Sequence, residues 1–98
     1  MKSYFTAHIE WIAYENGGRR CIPPQGTRYC PLIRLYEKER CGEWSIDFIC
    51  PDFNETDLID FVFLAQEAPS GLVELNKEYD IFEGAKKVAK IRVFAYEQ

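Results

Sequence analysis

Polar and apolar residues alternate through most of this chain. From Tyr4 to Ala13, Phe5, Ala7, Ile9, Trp11 and Ala13 fall on one side, with Thr6, His8 and Glu10 on the other. A period of two marks a strand with one buried face. Leu32–Glu37 and Trp44–Cys50 read the same way, the second with Trp44, Ile46, Phe48 and Cys50 on one face. Asp57–Ala65 also alternates, and Val62 and Leu64 on its second side predict a strand buried mostly on both faces. Glu78–Glu83 and Lys87–Tyr96 complete the set, joined by the tight turn Glu83-Gly84-Ala85-Lys86.

Turn residues separate these runs. Asn16-Gly17-Gly18, Pro23-Pro24 and Gly26 make 15–28 a long loop, Glu37–Gly42 is a charged hairpin, 51–56 a turn, and 67–76 a loop around Pro69 and Gly71. Six short strands joined by turns predict an all-β fold, a small six-stranded antiparallel β-barrel. The 15% aromatic share agrees with strands. A chain of 98 residues allows one domain, taken as residues 1–98.

Charge narrows the function classes. Twelve basic against sixteen acidic side chains leave a net charge of −4, which disfavours a nonspecific nucleic-acid or membrane-surface binder. His8 and Glu10 interrupt any apolar leader near Met1, and no run approaches a membrane span, so a cytoplasmic location without membrane contact is expected. Cys21, Cys30, Cys41 and Cys50 show no C-x-x-C pair, so reduced, partly buried thiols are expected and no metal site is assigned.

Three ordered segments, Asn16-Gly17-Gly18-Arg19-Arg20 followed by Pro23-Pro24, then Gly26 followed by Tyr29-Cys30-Pro31, then Asp80–Ala89, resemble the C-terminal β-barrel, the third domain, of translation elongation factor Tu. The first is similar to its Glu-Gly-Gly-Arg…Thr-Pro loop. Gly26 followed by Tyr29-Cys30-Pro31 is similar to its Gly/Asn-Tyr-Arg-Pro segment, and Asp80–Ala89 to its closing hairpin Phe-x-Ile/Leu-Arg/Tyr-Glu-Gly-Gly-Arg-x-Val-Gly. The resemblance spans about residues 4–96 and departs from the family at Cys30, at two extra residues before Tyr29 and at Ala85. It implies a stand-alone barrel. It also implies that Glu83 and Gly84 occupy the turn that, in the elongation factor, lies near the T-stem backbone of bound tRNA.

The GTPase part of such a factor has no counterpart: there is no G-x-x-x-x-G-K-[ST] loop, and Asn76-Lys77-Glu78-Tyr79 lacks the Asp of a guanine-binding motif. No nucleotide and no other cofactor is expected. No catalytic residue is assigned either. A cysteine hydrolase would have to pair Cys30, beside Arg28 and Arg34, with the single histidine His8.

The expected function is therefore a non-catalytic binding module. Its candidate contact residues are Arg19, Arg20 and Arg28 in the first long loop with Glu83, Gly84, Lys86 and Lys87 at the closing hairpin. A protein partner is preferred, with Phe53, Leu72 and Val73 offering part of an apolar patch; a structured RNA such as tRNA, held through phosphates, is the second candidate. An alternative is a small acidic antidote or immunity protein whose turns, with Glu37, Glu39, Glu43, Asp52, Glu55 and Asp57, steer onto a basic toxin or nuclease.

Overall fold

The computed structural model describes residues 3–37 and 40–98, and their side chains except those of residues 37, 40 and 41. The strands are β1 (Tyr4–Trp11), β2 (Arg28–Tyr29), β3 (Leu32–Glu37), β4 (Arg40–Ile49), β5 (Leu58–Phe63), β6 (Lys77–Glu83) and β7 (Lys86–Glu97). All pairings are antiparallel. Neighbours run β4–β3–β6–β7–β1–β5, and β5 returns to β4, so six strands close into a barrel with β2 added along β4. Among the described residues the only helices are two three-residue 3-10 turns, Tyr14–Asn16 and Ser70–Leu72. No helix there is long and apolar enough to cross a membrane.

The added β2 is the one strand the alternation does not predict. Arg28 faces Ile49 and Tyr29 faces Phe48, in the same register that sets Leu32 against Ser45. β2 and β3 are thus one strand interrupted at Cys30-Pro31. Proline has no N–H to donate to a ladder, although the Pro31 carbonyl still accepts from Ile46 N at 2.9 Å. The hairpin of β3 and β4 joins the rest of the wall narrowly: β3 meets β6 at two residue pairs, and β4 meets β5 at two. Its connection, at residues 38–39, lies outside the described residues.

Two bulges on β7 complete the wall. Phe82 pairs with Lys87 and Ile81 with Ala89, so Val88 is the extra residue. Val88 and Ala89 are consequently both buried, and the Val88 carbonyl is freed to accept from Ile12 N at 2.9 Å. Phe94 is the extra residue opposite Thr6/Ala7 and lies over the His8 ring, 4.8 Å between centroids.

The interior is filled by the inward sets of the alternating strands: Phe5, Ala7 and Ile9; Ile33 and Leu35; Ile46, Phe48 and Cys50; Ile59 and Phe61. Aromatic rings close both ends. Phe5, Phe61, Phe63 and Tyr96 pack at one, and Trp11, Tyr29, Phe48 and Phe53 at the other. One expectation is corrected here. β5 is not buried on both faces, because the exposed Leu58 and Asp60 alternate with the buried Ile59 and Phe61. Phe53, Leu72 and Val73 are each partly buried against the core.

Candidate functional site

The three segments that carry the sequence resemblance meet at the barrel end closed by Trp11 and Phe53. After β1 the 3-10 turn Tyr14–Asn16 is capped by Gly17 in the left-handed region, with φ 95°. Gly18 then packs on the β1 exit, its N–H donating to the Ala13 carbonyl at 3.0 Å. A Cβ at Gly18 would sit 1.8 Å from the Ile12 carbonyl oxygen, so only glycine fits this approach. This pinned loop delivers Arg19 across the end of the barrel to Glu83, the last residue of β6. Tyr29, on β2, donates its hydroxyl to the same Glu83 Oε2. Arg19 also donates through Nε to the Cys21 carbonyl at 2.8 Å, and its guanidinium lies 5.4 Å from the Tyr29 ring centre.

Electrostatics tighten this knot. Burial pushes the Glu83 carboxyl up, but the bonds from Tyr29 and Arg19, with the charges of Arg19 and Lys86, outweigh it and hold Glu83 below the usual carboxylate range. Burial first, and then the hydrogen bond and charge of Glu83, push the Tyr29 phenol well above its ordinary value. The hydroxyl therefore stays protonated and donates. The bond to Glu83 raises the Arg19 guanidinium further, keeping it a cation. Two charge-assisted bonds on one carboxylate oxygen make a strong local tie between three distant segments.

The other candidate residues are dispersed. Arg20 is exposed and lies 5.6 Å from the Tyr14 ring centre. Arg28 holds Asp47 with both Nε and a terminal nitrogen at 3.0 Å. Lys87 pairs with Asp80 at 2.9 Å. Lys86 is exposed beside Glu83. Gly84 is exposed with φ 59°, while Ala85 stays at negative φ, the pattern of a type II′ hairpin turn. Of these basic candidates, Arg19, Arg28 and Lys87 are each paired with a carboxylate.

The groups weighed for catalysis have separate partners. His8 Nδ1 lies 3.1 Å from Asp57, whereas the Cys30 thiol donates to Asp47 at 3.6 Å. Burial and the Asp47 charge push the Cys30 thiol up, outweighing the neighbouring Arg28. Cys21, Cys30 and Cys50 are free thiols, and Cys50 is buried; the Cys41 side chain lies outside the described residues. Among the described residues no cluster of His, Cys, Asp and Glu is arranged to hold a metal.

Several acidic turn residues are also engaged locally. Glu43 pairs with Arg34 at 3.0 Å, Asp57 meets His8, and Asp52 accepts from Asn54 N at 3.0 Å. Glu55 is exposed, while Glu39 and the Glu37 side chain lie outside the described residues. Asn76, with φ 67°, is the left-handed turn into β6, and Tyr79 is buried, so that tetrapeptide is a turn and strand start.

Reading the sequence singled out Arg19 and Glu83 but not Tyr29 as a site residue. Tyr29 lies in the second resembling segment between Arg28 and Cys30, the two residues of that segment whose chemistry was weighed instead. Compared with family models, curated proteins and solved structures, the chain shows no match.

Proposed function

We propose that this chain is a non-catalytic binding module, a cytoplasmic β-barrel of the elongation-factor-Tu C-terminal type acting without a GTPase and holding a protein partner. The observation that carries this reading is the internal use of its basic residues. Arg19, Arg28 and Lys87, which a phosphate-binding ridge would need, are bound to Glu83, Asp47 and Asp80. A cation already bonded to a carboxylate has little left to offer an RNA backbone. The family likeness is supported by the same geometry, since Arg19, Tyr29 and Glu83 contribute one side chain from each resembling segment to one hydrogen-bonded knot.

The test is capture from a cell lysate on immobilised protein, with and without nuclease. A stoichiometric protein that survives nuclease treatment supports the reading. Recovery of RNA alone, removed by nuclease, overturns it in favour of RNA binding.

A further inference from the structure

The barrel closes along only part of β4. On the β5 side the ladder covers Ile46 and Asp47, and Leu64 N adds a bond to the Ser45 carbonyl at 3.1 Å. The chain then leaves the line of β4, because Ala68 N donates to the Ala65 carbonyl at 3.2 Å and closes a turn. On its other side β4 stays paired with β3 as far as Arg40.

Successive residues of a strand turn their backbone N–H and C=O to alternate edges. Ile46 donates towards Pro31, while Ser45 accepts from Leu64, so Glu43 and Cys41 present both groups to the open side. Among the described residues no backbone group bonds to them there. The devices that blunt an exposed edge are missing. Residues 41–44 hold neither Pro nor Lys, and the register with β3 runs without a bulge. β3, by contrast, has the Ser70–Leu72 turn lying against it.

Unpaired groups along an edge call for an extended chain. We propose that a second copy of this chain supplies it, its β4 running antiparallel to the first across a two-fold axis at Gly42. Charge and register select that axis. Cys41 then faces Glu43 of the second copy and Glu43 faces its Cys41, so each open N–H and C=O finds a partner. Gly42 faces Gly42, with no side chain at the axis. An axis at Glu43 would set two glutamates opposite each other and reach Ser45, whose carbonyl is already taken. An axis at Cys41 would carry Glu43 past Arg40, where β4 begins.

The projecting hairpin is electrically balanced. Arg34, Lys38 and Arg40 offset Glu37, Glu39 and Glu43, so the net charge of −4 arises elsewhere in the chain. Pairing joins two projecting ribbons into one wider sheet, and a ribbon of only two strands is marginal by itself. So short an edge makes a weak dimer. The contact is independent of the binding-module reading and leaves the Arg19 knot uncovered.

Sedimentation equilibrium of the full chain over a concentration series, under reducing conditions, tests this. A monomer–dimer equilibrium is expected that tightens as salt screens the like net charges. Glu43→Pro deletes an open-edge donor and no bond to β3, and should weaken the dimer at least tenfold. Glu43→Ala loses the ion pair with Arg34 but keeps the N–H, and should dimerise like the parent. If Glu43→Pro melts well below Glu43→Ala, Gly42→Cys decides instead. Facing residues at such a site stand about 4.5 Å apart, within disulfide reach, so mild oxidation should link two copies through the new thiol. A chain that stays monomeric at every concentration overturns the proposal. So does a folded Glu43→Pro variant that dimerises as tightly as Glu43→Ala, or linkage through the native cysteines alone. The binding-module reading survives each of these outcomes.

Discussion

Gly18 lies against the Ile12 carbonyl so closely that a Cβ on it would stand 1.8 Å from the oxygen. Nothing flexible lines that contact, since both partners are backbone. Gly18→Ala must therefore displace the loop and with it Arg19. A loss of at least about 3 kcal/mol is expected, at the upper end of overpacking costs. Gly17→Ala meets no atom within 4 Å and pays only for its left-handed φ of 95°, about 1 kcal/mol. Urea denaturation of the two variants checks the ranking, and equal losses would show that the Ile12 contact is not what requires glycine.

The carboxylate of Glu83 is held below its ordinary value in the folded state, so it stabilises the fold above the unfolded pKa of about 4.3 and loses that contribution as pH falls through the depressed value. Glu83→Gln removes the charge while keeping the side-chain shape. At neutral pH it should cost roughly 1.5–3 kcal/mol, the scale of a hydrogen bond to a charged group. The gap between parent and variant should close as pH drops from about 4.3 towards 2. Urea midpoints measured across that range report it. A gap that stays constant with pH would remove the Arg19–Glu83–Tyr29 tie as a source of stability.

Much of this barrel is legible in the sequence, because most of its strands alternate over their central residues. Phe5-Ala7-Ile9 and Ile46-Phe48-Cys50 point inward as their period requires. The limit appears where local pattern and ladder part company. β2 is only two residues long and is cut from β3 by Pro31, so no periodicity is visible, yet its register continues unbroken along β4. Val62 and Phe63 are only half-buried because β5 meets β4 over two residue pairs as the barrel closes, a fact of tertiary packing rather than of composition. At the candidate site, the residue types were visible but their pairing was not. Arg28 and Lys87 read as free cations until Asp47 and Asp80 are found beside them.

The thiols should separate by reactivity. Cys21 is exposed, Cys30 is exposed but pushed towards its protonated form by burial and Asp47, and Cys50 is 1% exposed. Alkylation follows the thiolate, so Cys21 should label first, Cys30 more slowly, and Cys50 only on unfolding. Timed alkylation at neutral pH with peptide mapping checks the order. Asp47→Asn should speed labelling at Cys30 by removing the nearest negative charge. Early labelling of Cys50 in the folded protein would contradict its place in the core.

Of the five basic residues at the first loop and the closing hairpin, Arg19, Arg28 and Lys87 hold carboxylates, which leaves Arg20 and Lys86 outside any ion pair among the described residues. Each phosphate neutralised on a duplex contributes about −0.9 to the slope of log affinity against log salt. Two available cations therefore limit a tRNA complex to a slope of about −2 and to weak, nonspecific affinity. Gel-shift titrations at low and high salt should show at most this behaviour, abolished by Arg20→Ala/Lys86→Ala. Arg19→Ala acts differently: it should lower the urea midpoint by releasing Glu83 and Tyr29 while leaving the residual RNA affinity nearly unchanged. A tight complex with a slope steeper than about −4, lost with Arg19→Ala, would mean that tRNA breaks the Arg19–Glu83 pair and takes the arginine for its own phosphates, and RNA would then displace protein as the partner.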